Sequence, residues 1–299
     1  MKKIVGFGAC VYDTLIECEK FPVEDTKLKA DNISVSGGGP VGNALVVAAK
    51  LGVKTSVIGA FANDAAGSYL LEDFKKYGVD ISGVKIIVGA KSFNSYILLS
   101  KSEGSRTCVF NRGTVLDDEN NANLSVIDGA DILHLDGNYL NGALKCAKYA
   151  KEKGVLVSLD AGGLYEGIEK LLPLVDILIP SAEFAMGLTG KDAPIDALIE
   201  LNKRYSPKIL AVTDGKNGGY YIEENSAEKY PAFTVKAVDS NGAGDTFHGA
   251  FLAAYLSGKS VRESLIFASA TSAYKCGFVG ARTYPLSTEK VLEFIKENS

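Results

Sequence analysis

From residue 127 onward the chain repeats one rhythm: a short apolar run, a helical stretch, then another short apolar run. The runs are Ile132–Leu135, Val155–Leu159, Ile177–Ile179 and Ile209–Thr213. Segments that short and that apolar suit strands buried on both faces, and the helices between them are the crossovers of a parallel sheet. The predicted fold class is therefore α/β. It has a mostly parallel sheet covered by helices on both faces, a three-layer α/β/α arrangement. A chain of 299 residues suits one such domain spanning 1–299.

The first part of the chain is less regular. Lys3–Gly8 reads as a buried strand. Val41–Leu51 carries Ala44, Ala48 and Leu51 at helical spacing, and Gly52 stops it. Lys54–Ala60 reads as a strand, and Ala66–Tyr77 as a helix ended by Gly78. Asp13–Phe21 and Leu28–Val35 alternate polar and apolar residues, the period of a half-exposed strand, and Gly37-Gly-Gly39 breaks that pattern. Lys85–Val88, Ser92–Ser100 and Arg106–Asn111 read as further strands, the last two joined as a hairpin across Ser102–Ser105. These inserted β segments, about 12–35 and 84–112, predict a small separate sheet forming a lid.

Bulk properties exclude several function classes. A net charge of −4 gives no electrostatic footprint for nucleic acid and no attraction to an anionic membrane. No apolar stretch approaches the length of a membrane span. Five widely spaced cysteines without a CxxC pair, and only two histidines, argue against a disulfide framework or a structural zinc site. A reducing cytoplasm is the expected location. The N-terminus MKKIVGFGACVYD imitates a short signal peptide, but its apolar run ends at Asp13 without a small-residue cleavage site, so it reads as the first strand.

Two glycine turns carry the chemistry. Gly242-Ala243-Gly244 precedes a helix whose Phe247, Phe251, Ala254 and Tyr255 share one face. Helix N-termini present unpaired N–H groups and the positive end of the macrodipole, and glycine lets the backbone approach an anion. The turn can cradle a phosphate. Asp245 there reads either as a first-turn capping acid or as the base for an attacking hydroxyl. The amides and dipole favour its ionised form, which predicts a weak base. Earlier, Ser36-Gly-Gly-Gly-Pro-Val-Gly-Asn43 opens another helix, and Asn43 offers a donor and acceptors to a polyol.

Together these motifs resemble the ribokinase, or PfkB-type, carbohydrate kinase family over nearly the whole chain. The early GGxxxN signature stands as Gly38-Gly-Pro-Val-Gly-Asn43. The late DTxGAGD signature stands as Asp239-Ser-Asn-Gly-Ala-Gly-Asp245, with Ser240 in place of threonine. The resemblance implies a Rossmann-like domain with a small β lid and ATP-dependent phosphorylation of a sugar hydroxyl. It implies Asp245 as catalytic base, with Gly242, Ala243 and Gly244 as the anion hole. Asp13, Gly38, Gly39 and Asn43 correspond to sugar-site positions. Thr213-Asp-Gly-Lys-Asn-Gly218 corresponds to the nucleotide loop, through Thr213, Gly215 and Gly218. Lys275-Cys-Gly277 would border the adenine. Asp239, with the Asn241 region, would touch a monovalent cation such as potassium. Relatives of this kind often form homodimers by clasping lids.

Departures from the family pattern matter. Where relatives carry NxxE to organise magnesium and phosphate, this chain has Pro180-Ser-Ala-Glu-Phe-Ala185. Ser181 replaces asparagine as an ATP-site residue, and Glu183 sits one residue early as a magnesium contact through water. That serine and the Lys275-Cys-Gly277 run resemble the ketohexokinase and sulfofructose-kinase branch. Arg106 and Arg112 on the lid hairpin suit a grip on phosphate or sulfonate, or are plain solvated strand charges; Arg106 is the candidate substrate residue. His248, three residues past Asp245, would edge the substrate site.

Rival readings are a nucleoside kinase, a non-catalytic sugar sensor and a dinucleotide-dependent oxidoreductase. The last rests on Gly6-Phe-Gly-Ala-Cys-Val11, but the third glycine is missing, and strand alternation follows where a helix must start.

Overall fold

The computed structural model describes residues 2–103 and 105–298. Its strands and helices follow one another as β1 (Lys3–Phe7), β2 (Val11–Cys18), β3 (Asn32–Gly38), α1 (Pro40–Lys50), β4 (Lys54–Ala62), α2 (Ala65–Lys76) and β5 (Asp80–Ile87). Then come β6 (Asn94–Ser100), β7 (Ser105–Asn111), β8 (Ile132–Leu135), α3 (Leu140–Glu152), β9 (Leu156–Ala161) and β10 (Ile177–Pro180). The chain ends with α4 (Ala182–Thr189), α5 (Pro194–Tyr205), β11 (Ile209–Thr213), β12 (Gly219–Glu223), β13 (Ser226–Tyr230), α6 (Ala243–Leu256), α7 (Val261–Cys276) and α8 (Thr288–Asn298).

Nine strands form the large sheet in the order β13-β12-β11-β10-β9-β8-β1-β4-β5. The pairs from β11 to β5 are parallel, and β12 and β13 add an antiparallel hairpin at one edge. Successive residues of the central strands serve opposite cores. Ile4, Ile132, Ile177 and Ile179 pack with α1, α6 and α7 on one face. Val5, Leu133 and Leu178 pack with α3, α4 and α5 on the other. Burial on both faces is why these strands read as continuous apolar runs.

A second sheet, ordered β3-β2-β6-β7, stands apart from the first. Strands β2 and β6 run parallel within it, while β3 and β7 pair antiparallel at its edges. Gly104, in the turn expected between β6 and β7, lies outside the described residues.

Three expectations need correction. The stretch read as Lys85–Val88 was assigned to the small sheet; instead Asp80–Ile87 runs parallel to β4 as the edge of the large one. An edge strand is half-exposed like a lid strand, so alternation alone does not separate the two. Gly37 and Gly38 do not break the strand but complete β3. They are glycine because a side chain at Gly38 would overlap the Asp13 carboxylate, and one at Gly37 the Arg282 guanidinium. The β12–β13 hairpin has no counterpart among the predicted strands; β12 carries Tyr220, Tyr221 and Ile222, but β13 is mostly polar and lies at the sheet edge.

Candidate active site

The two helix tips that carry the motifs meet. Helix α1 starts after Gly39, whose φ of 87° lies in the left-handed region that glycine tolerates. Helix α6 starts after Gly242, at φ 73°. A side chain at Gly249 would overlap the Ala44 carbonyl, so α1 and α6 approach closely. That approach lets the Asn43 Nδ2 donate to Asp245 Oδ2 at 2.6 Å.

At the α6 tip the Ala243 N–H turns back to the Ser240 carbonyl at 3.2 Å. The N–H groups of Gly244 and Asp245 have no acceptor among the described residues. Gly244 is exposed, and a Cβ added to it would meet nothing within 4 Å. The tip therefore presents free amides and the positive end of the α6 dipole to open space.

That space is a cleft of about 940 Å³, at the upper end of the range for small-molecule sites. One end is polar and is lined by Arg106, Asp136, Asn138, Asp160, Asp245 and His248. The other end is lined by Thr213, Gly215 and Gly218 from the β11–β12 turn, by Ala232, Phe233 and Val235 after β13, and by Ala273 and Cys276 of α7. The 242–245 turn and Ser181 lie between.

The electrostatics of Asp245 reverse one expectation. Burial pushes its carboxyl above the usual carboxylate range, and the nearby Asp160 carboxylate pushes the same way. The Asn43 hydrogen bond, His248 and Arg106 oppose the rise without cancelling it. Asp245 is thus a stronger base than the helix tip alone would make it, because desolvation and a like charge outweigh the Asn43 hydrogen bond and the neighbouring His248 and Arg106.

Asp13, in β2, is buried and accepts from Ser95 Oγ at 2.6 Å. Burial pushes its pKa to about 6. Asn43 spends its carbonyl on the Arg282 Nε (2.7 Å) and one N–H on Asp245, which leaves only its second N–H for a ligand. Arg106, on β7, donates from Nη1 to Asn241 Oδ1 at 3.2 Å and so reaches from the small sheet to the anion turn. Arg112 instead donates to the Asn138 carbonyl and lies over the Phe93 and Tyr165 rings. His248 lines the cleft, with Nε2 3.3 Å from Asp160 Oδ1.

Not every predicted position reaches the cleft. Ser181 lines it, but its hydroxyl accepts from the Phe184 N–H as the cap of α4. Glu183 is exposed in the first turn of that helix and does not line the cleft. Gly277 caps α7. Lys275 is fully buried beneath the anion turn, where it donates to the Asp239 carbonyl at 2.6 Å with its ammonium 3.6 Å from the carboxylate.

Asp239 is correspondingly engaged. Its oxygens accept from the Asn241 N–H (2.7 Å) and the Gly280 N–H (2.8 Å), and Lys275 already neutralises its charge. A monovalent cation at this carboxylate would face a buried ammonium, so Asp239 does not fit one. Among the described residues, no group of three or more His, Cys, Asp or Glu is arranged to hold a metal ion.

The sequence reading missed Asp136, Asp160 and Arg282. Asp136 is buried, accepts from the Ala9 N–H at 2.7 Å, and is pushed to about 6 by burial. Burial also works against the charge of Asp160, but His248 and its hydrogen bond outweigh this and hold that carboxyl below its usual range. Both acids stand at or just beyond the C-terminal ends of parallel strands, β8 and β9, where open α/β sheets bind ligands. That positional rule was the available signal. Arg282 had none.

A family model described as "pfkB family carbohydrate kinase" matches residues 1–289. An ATP-dependent ribose-1-phosphate kinase from Halopiger xanaduensis is 28% identical, with 99% of each chain covered. A ribokinase from Haemophilus influenzae is 26% identical over 99% of each. The solved Arabidopsis thaliana ribokinase complexed with ribose and ATP superposes with a TM-score of 0.85 at 26% identity, covering 99% of this chain and 98% of that one. The chain belongs to the pfkB family of carbohydrate kinases.

Proposed function

We propose that the protein transfers the γ-phosphoryl group of ATP to a hydroxyl of a small uncharged sugar, a ketose or furanose such as fructose or ribose. The observation that carries this reading is Asp245 beside the free amides of its own helix tip, inside a cleft whose wall also carries Phe233, Val235 and Ala273. That part of the wall, between the β11–β12 turn and α7, suits the adenine. The polar end suits the acceptor.

Asp13 and the free N–H of Asn43 hold sugar hydroxyls. Asp245 accepts the proton of the attacking hydroxyl as its oxygen bonds to the γ-phosphorus. The bond to the bridging oxygen breaks and ADP departs. The Gly244 and Asp245 amides receive charge on the travelling group, and Arg106 adds its own from above. A magnesium ion bound with the nucleotide would neutralise phosphate charge, and Glu183, outside the cleft lining, would hold it only indirectly.

An uncharged acceptor follows from the charge at that end. Asp136, Asp160 and Asp245 line it and Asp13 lies close enough to interact with Asp245, against one lining arginine, Arg106; Arg282 and Arg112 are already satisfied by the protein. A screen with ATP and magnesium over fructose, ribose, sulfofructose, ketodeoxygluconate and adenosine tests the reading. Phosphorylation of a neutral sugar supports it. Turnover of only the charged sugars or adenosine overturns the substrate class, and tight sugar binding without any turnover points to a sensor.

The outer face of the small sheet exposes Ile33, Val35, Tyr96 and Val109, each between 43% and 62% exposed. Strand edges and apolar faces of this kind are liabilities that pairing removes, and we assign this face to a second copy of the chain. A Val109→Glu variant that remains as dimeric as wild type in size-exclusion chromatography would remove that assignment. The five free cysteines suit a reducing cytoplasm, and among the described residues no helix is long and apolar enough to cross a membrane.

A further inference from the structure

Beneath the acceptor end of the cleft lies one buried cation that the transfer chemistry does not use. The Arg282 side chain is 1% exposed. Its Nε donates to Asn43 Oδ1 at 2.7 Å, its Nη1 to Asp73 Oδ2 at 2.6 Å, and its Nη2 to the Gly38 carbonyl at 2.8 Å. Its Cζ lies 5.0 Å from the centre of the Phe74 ring. A side chain at Gly37 or Gly42 would overlap the guanidinium, so both glycines clear its seat. Its own carbonyl accepts from Lys50. One side chain thus joins β3, α1, α2 and the segment after α7.

One of these contacts continues to the base. A guanidinium only donates, so an amide facing it must present oxygen. With Asn43 Oδ1 turned to Arg282, Nδ2 is turned to Asp245, where it donates at 2.6 Å. Without the guanidinium, only the Asp245 carboxylate still selects that face, and Asn43 Oδ1 loses the donor that fixes it from the other side. A flipped amide would set oxygen against carboxylate.

The geometry points to Arg282 as a positioning residue for phosphoryl transfer: it locks the Asn43 amide so that an N–H is aimed at Asp245. The same guanidinium ties that orientation to the small sheet, because Gly38 ends β3 and pairs with Val11 of β2, two residues before Asp13. Base, sugar site and small sheet are thereby fixed to one another through a group that touches no substrate. The catalytic consequence rests on the kinase reading; the locked amide does not.

The test compares wild type with Arg282→Lys, which keeps the charge but loses the planar fork. Asp245 is faced by Asn43 from α1, Asp13 from β2, Asp160 from β9, Arg106 from β7, Lys275 from α7, Tyr284 from the segment after α7 and His248 from its own helix, and only the first contact should change. Titration of the Asp245 carboxyl by carbon NMR should show its midpoint rise by on the order of one pH unit, as a hydrogen bond to the charged form is lost. In steady-state assays kcat should fall by about 10²-fold, with the KM for ATP unchanged. If wild type phosphorylates nothing, the kinase reading fails while the titration still decides the locked amide. An unmoved midpoint in a folded variant overturns the inference. Should Arg282→Lys not fold, the double variant Arg282→Gln with Asp73→Asn leaves no stranded charge and serves the same comparison.

Discussion

Asn43 and Asp245 lie 202 positions apart and share a hydrogen bond of 2.6 Å. It joins the first turns of two helices that open on the same cleft. The contact gathers the sugar-site motif and the anion-turn motif into one centre, and it sets the partners against which Asp245 titrates.

Asp13 should show a conflict between stability and binding. Its pKa is raised from 3.8 to about 6 in the fold. A raised pKa means that the native state takes up a proton before the unfolded chain does. Holding Asp13 ionised therefore costs stability above about pH 6, and that cost fades as pH falls toward 3.8. At about 1.4 kcal/mol per pH unit, the cost at neutral pH is on the order of 3 kcal/mol. Asp13→Asn, which can still accept from Ser95, should be more stable than wild type by roughly 1–3 kcal/mol in denaturant titrations at pH 8. The advantage should vanish near pH 4, and the KM for sugar should rise at every pH. An advantage that grows on acidification would contradict the assignment.

Lys275 should be structural and should make potassium dispensable. Replacing it with methionine leaves the Asp239 carboxylate buried without its counter-charge, a loss of about 3–5 kcal/mol. The double variant Lys275→Met with Asp239→Asn should recover much of it, since the two residues form one pair. Wild-type turnover should be the same in potassium as in tetramethylammonium salts. A strong potassium requirement in wild type would show that a cation binds despite the ammonium.

Arg106 should matter to turnover and not to folding. It is exposed on β7, so Arg106→Gln should shift unfolding free energy by no more than about 0.5 kcal/mol. Its one side-chain hydrogen bond among the described residues, to Asn241, places it over the anion turn. Losing that charge should lower kcat on the order of 10²-fold. An unchanged kcat would return Arg106 to the role of a solvated strand residue.

The fold was largely legible because strands covered on both faces leave apolar runs that little else explains, as Ile177–Ile179 does. Edge strands were harder: β5 alternates like a lid strand, and β12–β13 carry too many polar residues to stand out. The site is legible where the structure demands glycine, at Gly38, Gly39 and Gly242. It is not legible where topology does the assembling. Asp136, just after β8, and Asp160, near the end of β9, look ordinary in sequence and become site residues only because their strands end side by side. The basicity of Asp245 is hidden for the same reason, since its burial, the larger cause, and the Asp160 carboxylate both come from elements distant in sequence. Arg282 follows a plain Gly-Ala pair, and nothing local marks it as buried.

The central claim is that Asp245 accepts the acceptor's proton beside the amides that take the phosphoryl group. The direct measurement is steady-state phosphorylation of the best neutral sugar by wild type and Asp245→Asn across pH, with nucleotide affinity measured alongside. Wild-type kcat/KM should fall as pH drops through a limb above the ordinary carboxylate range, because the base must be ionised. The variant should lose about 10²–10⁴-fold in kcat, keep its affinity for ATP and show no such limb. Near-wild-type turnover by Asp245→Asn, with the limb intact, would contradict the account.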